Sequence, residues 1–231
     1  MITKEELIQF EQDLAQEYEK GTIHGPIHLS GGNEDDLIEI FQDIREHDWV
    51  FSTWRSHYHA LLKGIPKEKI WDQCIQGNSI TLSFPEYKFF TSAIVGGIIP
   101  IAVGVALSIK RKNEENFEKC KILSDYNGIK AEDEIKQMIK TAGSYIYCFI
   151  GDMTSQIGDF AEALHYSEDH DLPIKFIIED NNYSTNSPTD KLWNKSFVYG
   201  GKIFGSSKIK KIYSYNRTWP HQSTGKWITT F

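Results

Sequence analysis

Cysteine is scarce in this 231-residue chain: Cys74, Cys120 and Cys148 are widely spaced, odd in number and free of any CxxC or Cys/His cluster. That argues against a disulfide framework or a zinc site and for reduced thiols. Long apolar runs are missing too. The most apolar stretch, 93–109, is interrupted by Gly96, Gly97, Pro100 and Gly104 and falls short of the ~20 residues that cross a bilayer, so no membrane span is expected. Its glycines suit a buried segment that approaches another backbone or a ligand closely. No run of Lys and Arg is interleaved with aromatics, the formal net charge is −7 and the pI is near 5.6, which leaves no basis for a nucleic-acid partner. The N-terminal residues Met1 to Glu6 lack the charged and apolar regions of a secretory signal. A cytoplasmic location is expected.

What is present is enough for one core: with 40% hydrophobic residues, residues 1–231 are expected to fold as a single domain. Thr3 and Glu6 form a capping box ahead of Leu7, Phe10, Leu14 and Tyr18, so 3–20 reads as a helix stopped by Gly21. An acidic-fronted helix follows over 33–45 and a short strand over 49–54. Residues 67–76 read as helical, and 77–90 as a loop without a strong period. The run from Ile98 reads as a buried helix that emerges into charge near Lys112. Residues 111–141 are expected to be a charged surface insert with a solvated helix over 131–140, and 191–231 a C-terminal tail. Residues 144–152 are a continuous apolar run of strand composition, 158–170 have helical spacing, and 172–179 form a second buried strand. Strand, helix, strand makes a βαβ unit and predicts an α/β fold with a parallel sheet.

Ligands of such sheets sit outside the carboxyl ends of the strands. Two polar clusters fall there, Gly151-Asp152-Met153-Thr154-Ser155 and Asp180-Asn181-Asn182-Tyr183. In a right-handed βαβ unit Asp152 and Asn181 face one small volume. A carboxylate, an amide oxygen and a backbone carbonyl, completed by phosphate oxygens and water, suit octahedral Mg²⁺. The Thr154 and Ser155 hydroxyls and backbone N–H groups ahead of the helix suit phosphate oxygens. The plainer alternative is a helix cap at Asp152 and an ordinary turn at 180–182. On the residues alone, a nucleoside triphosphate, a nucleotide sugar and thiamine diphosphate (ThDP) all remain open, although no Gly-rich P-loop or GxGxxG follows a strand.

Several ordered segments narrow the choice. Gly151-Asp152-Met153 and Glu179-Asp180-Asn181-Asn182-Tyr183 stand where the α subunit of ThDP-dependent 2-oxo acid dehydrogenase E1 components has Gly-Asp-Gly and Glu-Asn-Asn-x-Tyr. His28-Leu29-Ser30-Gly31-Gly32-Asn33-Glu34 is similar to that family's His-Leu-x-x-Gly-Gln-Glu, and Trp54-Arg55-Ser56-His57 to its Tyr-Arg-x-His. Val95-Gly96-Gly97-Ile98-Ile99-Pro100 is similar to its Val-Gly-x-x-x-Pro turn. The chain thus resembles the family over about residues 24–190.

The resemblance implies a three-layer ThDP-binding fold, a central mostly parallel sheet with helices on both faces. It implies Asp152, Asn181 and the Tyr183 carbonyl as Mg²⁺ ligands, and Trp54, Arg55, Gly151, Met153, Thr154 and Asn181 against the diphosphate. Val95 and Gly96 fall beside the aminopyrimidine, and His28, His57 and His221 on the reacting side. His59 reads as an exposed neighbour of His57. The activating glutamate belongs to a pyrimidine-binding β-type subunit in this family, which implies a separate partner, an α₂β₂ heterotetramer and a small carbonyl substrate such as a 2-oxo acid. The chain departs from the pattern at Met153, in the 111–141 insert, and after Asn186, where a compressed tail, Tyr215 to Ser223, stands for the family's Tyr-Arg-x-x-Gly-His-Ser. A non-catalytic relative acting as a structural or regulatory subunit is the alternative, motivated by Met153.

Overall fold

The computed structural model describes residues 2–126, 143–192 and 206–225. Helix α1 (Lys4–Glu19) starts on the expected capping box: the Glu6 N–H donates to the Thr3 hydroxyl and the Thr3 N–H to the Glu6 carboxylate. It stops at Gly21, whose φ of +76° no side-chain-bearing residue adopts without strain. Helices α2 (Glu34–Phe41), α3 (His57–Leu62) and α4 (Lys67–Ile75) follow, with strand β1 (Trp49–Ser52) between α2 and α3. Residues 77–90 are not a plain loop. They carry strand β2 (Ser83–Phe84), and β3 (Phe89–Thr91) follows a single 3₁₀ turn. Helix α5 spans Ile98–Tyr126, so the buried helix continues through the first part of the charged stretch instead of ending near Lys112. The solvated helix expected over 131–140 lies outside the described residues.

Strand β4 (Ile146–Gly151), helix α6 (Gly158–Asp169) and strand β5 (Ile174–Asp180) form the βαβ unit. After the short hairpin of β6 (Tyr183–Ser184) and β7 (Ser187–Pro188), strand β8 (Ile209–Ser214) joins the main sheet. The six-stranded order is β2-β3-β1-β4-β5-β8, and every neighbouring pair except β2/β3 is parallel.

The layering follows from alternation along the strands. In β4, Tyr147 and Phe149 join a core with Leu7, Leu14, Leu37, Tyr58 and Ile70, on the side of α1 to α4. Their neighbours Ile146, Cys148 and Ile150 join the opposite core with Ile99, Ala102, Phe160 and Leu164, on the side of α5 and α6. A strand apolar on both faces has to be covered twice, and three layers result. All three cysteines are free, Cys74 and Cys148 buried and Cys120 exposed. Among the described residues no helix is long and apolar enough to cross a membrane.

Candidate functional site

Four parallel strands deliver their carboxyl ends to one cleft. It is lined by Thr53, Trp54 and Arg55 after β1, by Gly151 to Thr154 after β4, by Glu179, Asn181 and Tyr183 to Thr185 from β5 onward, and by Tyr215, Arg217 and His221 after β8. Val95, from the turn before α5, completes the rim. The parallel register β4/β5 pairs Gly151 with Glu179 and is extended by the Asp152 N–H to the Glu179 carbonyl, which sets the two polar clusters side by side.

Asp152 is buried, and burial together with the neighbouring Asp180 carboxylate pushes its pKa up to about 7. It does not cap α6: the residue before that helix is Ile157, which makes no side-chain cap. Ser155 ties the turn by donating from its hydroxyl to the Asp152 carbonyl. Met153 sits at φ −70°, ψ −30°, open to any L-residue, so methionine replaces the pattern's glycine without backbone strain and lends its side chain to the cleft wall. The Asn181 Oδ1 accepts the Tyr183 N–H at 3.0 Å, an Asx turn that leaves this oxygen a further lone pair. Gly96, at φ +75°, has its Cα pressed on Ile157 so closely that a Cβ would lie 2.4 Å from Ile157 Cδ1.

The facing wall is cationic. Arg55 donates to the Leu29 carbonyl at 2.6 Å and the His221 carbonyl at 3.1 Å, and burial lowers its pKa. Arg217 lies over the Tyr183 ring, donates to the Thr185 carbonyl, and is lowered to about 10 by burial and by Arg55. His28 packs edge-on to His221 and beside Trp54 without lining the cleft itself. Burial and Arg55 bring His28 down to about 3, and burial with the two arginines brings His221 to about 4, so both rings are neutral at pH 7.

These two depressed values carry a pH consequence. A histidine whose native pKa lies below its unfolded value of about 6.5 stabilises the fold above that pH. The contribution is lost as pH falls through the window from about 6.5 to about 3 or 4. Between pH 7 and pH 5 the loss from His28 is roughly 1–2 kcal/mol, and less from the half-buried His221. Urea denaturation at the two pH values is expected to show a smaller acid loss for His28→Gln than for the wild type. Equal losses would refute the assignment.

The structure places the remaining expected residues less simply. His57 does not reach the cleft: it is buried, with Nδ1 at 3.0 Å from Glu11 and Nε2 at 2.9 Å from Ser79. Against the pull of burial, Glu11 and Cys74 raise its pKa, making a charged buried support for Glu11, which also accepts the Ser30 N–H. His59 is not exposed. It is buried, with Nδ1 on Ser52 and Nε2 3.3 Å from Glu179. Glu179 also accepts from the Tyr213 hydroxyl and Asn33, joining the loop before α2, β1, α3, β5 and β8 beneath the cleft. Glu179, Tyr215 and Arg217 were not among the residues expected to form the site. Arg217 was within reach of the sequence as the one arginine of the compressed tail, and Glu11 as a carboxylate in the apolar register Leu7, Phe10, Leu14.

The profile of the family "Dehydrogenase E1 component" matches residues 3–201. The chain is 27% identical over 228 residues to pyruvate dehydrogenase E1 component subunit alpha-3, chloroplastic, of Arabidopsis thaliana, covering 87% of this chain and 48% of that protein. Against pyruvate dehydrogenase E1 component subunit alpha of Rickettsia prowazekii, identity is 26%, covering 92% of this chain and 61% of that one. The alpha subunit of the acetoin:2,6-dichlorophenolindophenol oxidoreductase of Bacillus subtilis is 23% identical, covering 79% and 50%. The chain spans about half the length of most of these relatives.

Proposed function

The chain belongs to the dehydrogenase E1 component family, and on that premise we propose that it is the diphosphate-binding, alpha-type subunit of a two-subunit enzyme using ThDP and Mg²⁺. The observation that carries this is the division of the cleft into an oxygen-rich end, Asp152, Asn181 and Tyr183, and a cationic wall, Arg55 and Arg217. A magnesium diphosphate has the complementary charge distribution. Among the described residues no group of three or more His, Cys, Asp or Glu side chains could hold a metal, so a cation here would need the mixed set of carboxylate, amide and carbonyl oxygens that Mg²⁺ accepts with phosphate and water. The donor set fits the ion.

ThDP bound here would supply the nucleophilic carbon and the electron sink for chemistry at a carbonyl. The residues of this chain bind and orient. Asp152, Asn181 and the Tyr183 carbonyl would hold the cation. Arg55, Arg217, Trp54 and the Thr154 hydroxyl would hold the diphosphate, with Gly151 and Met153 forming the adjoining floor. Val95 and Gly96 would face the aminopyrimidine. His221, neutral and lining the cleft, would offer its ring as a hydrogen-bonding group on the reacting side, with His28 packed behind it as support. The partner is a β-type subunit that supplies the activating glutamate in an α₂β₂ assembly, and the substrate is a 2-oxo acid or related carbonyl donor.

Calorimetric titration of ThDP into the chain co-purified with its pyrimidine-domain partner is expected to give binding that requires Mg²⁺ and disappears with EDTA. Absence of Mg²⁺-dependent binding would falsify the reading.

A further inference from the structure

The alignment that makes Asn181 the ligand amide puts Asp180 where the family pattern has asparagine. This chain therefore brings one carboxylate more to the cation end of the cleft. Asp152 and Asp180 are 3% and 5% exposed and stand side by side where the register that pairs Gly151 with Glu179 runs on past the ends of neighbouring parallel strands. Asp180 is held in place by two donors, the Asn182 N–H to Oδ1 at 2.8 Å and the Ser214 hydroxyl to Oδ2 at 3.0 Å. It is absent from the lining of the cleft and stands behind Asp152.

We infer that Asp180 is a positioning residue for the cation: acting through Asp152, its charge lets the site take up a divalent ion before ThDP arrives. The inference rests on the reading proposed above. Two like charges buried side by side are unfavourable, and a divalent cation is the smallest ligand that cancels both. A site with a single carboxylate leaves half of the ion's charge to be met by the diphosphate, so cation and cofactor must bind together. Affinity of oxygen sites for hard cations rises with the number of charged groups around them. The second carboxylate also repels a diphosphate, and Arg55 and Arg217 on the facing wall offset that repulsion.

Mn²⁺ serves as the probe, followed by electron paramagnetic resonance with the full chain at pH 8 in the absence of ThDP, beside thermal unfolding in metal-free buffer. Wild type is expected to bind Mn²⁺ alone. Asp180→Asn, which keeps an oxygen for the Asn182 N–H, is expected to weaken that binding roughly tenfold or more while the metal-free Tm holds or rises. A merely structural aspartate cannot give those two opposite signs. Three outcomes overturn the inference: no Mn²⁺ uptake by wild type without ThDP, unchanged Mn²⁺ affinity in the variant, or a variant that loses Mn²⁺ together with metal-free stability. Titration of ThDP with Mn²⁺ into wild type separates the two levels. If the pair does not bind, the functional reading fails, whereas if it binds and Asp180→Asn behaves as wild type, only the role of Asp180 fails.

Discussion

Asp152→Asn is expected to stabilise the metal-free chain at pH 8 and, in the same protein, to abolish Mg²⁺-dependent ThDP binding. A carboxyl whose native pKa is raised from 3.8 to about 7 costs nothing below its unfolded value. The cost grows as pH rises through that window and is fully present above pH 7. The span corresponds to an upper bound of about 4 kcal/mol, so after local relaxation a gain of roughly 2–4 kcal/mol is expected for the neutral isostere. For a chain of this size that is a Tm higher by roughly 5–10 °C at pH 8, shrinking as pH falls and gone near pH 4. Binding moves the other way. Loss of the carboxylate that faces the cation should weaken Mg²⁺-dependent ThDP binding by more than the roughly 10–100-fold seen when only an outer-shell partner is removed. Calorimetry and thermal unfolding across pH 5–8, with and without Mg²⁺, check both halves. A metal-free variant less stable than wild type at pH 8 would show that Asp152 serves the fold and not the ion.

The two effects share one cause, and it explains why this end of the cleft was legible in the sequence. Asp152 and Asn181 follow apolar runs, Ile146–Gly151 and Ile174–Asp180, whose composition alone makes them buried parallel strands. Either polar cluster alone would read as a cap or a turn, but two at the carboxyl ends of consecutive buried parallel strands fall where such sheets bind ligands. The capping box of α1 was legible for the same reason, since its hydrogen bonds close within four residues. What escaped depends on partners remote in the chain. Phe89–Thr91 is a strand because Val50 to Ser52 lie beside it on one side and Ser83–Phe84 on the other, and three residues carry no period of their own. His59 is buried because Phe41 and Phe149 pack on its ring and Glu179 meets its nitrogen. The sequence shows none of those neighbours. Helix α5 runs past Lys112 although its composition turns polar there: an apolar face was the only signal for that helix, and it faded before the helix did. Arg217 reaches the cleft because β8, an edge strand after β5, carries the chain back to it.

That return makes the tail the most sensitive support of the cationic wall, and Gly32→Ala is expected to break it. Gly32 has φ +96°, and a Cβ there would lie 2.0 Å from the backbone oxygen of Asn216. Neither feature is relieved by a rotamer change, because the opposing atom is main chain. Beside it, the Gly31 carbonyl accepts the Thr218 N–H, and a Cβ on Gly31 would lie 2.8 Å from the Thr218 side chain. The two glycines are thus the seat on which residues 215–218 rest. Left-handed strain and overpacking each cost about 1–3 kcal/mol, so a loss of roughly 2–5 kcal/mol is expected, or a Tm lower by roughly 5–15 °C. The chain can escape part of this by letting residues 215–221 lift off. That would carry Arg217 and the His221 carbonyl away from Arg55 and open the diphosphate wall. Hydrogen exchange should then show faster exchange at the Thr218 and Ser223 amides than at the β4 amides, and ThDP affinity at saturating Mg²⁺ should fall at least tenfold. Gly64→Ala is the control: its φ of +85° brings similar left-handed strain, but nothing lies within 4 Å of its Cβ position. It should lose stability from backbone strain alone and leave ThDP affinity unchanged. Equal losses of affinity in the two variants would mean that the seat under residues 215–218 is not what holds the wall.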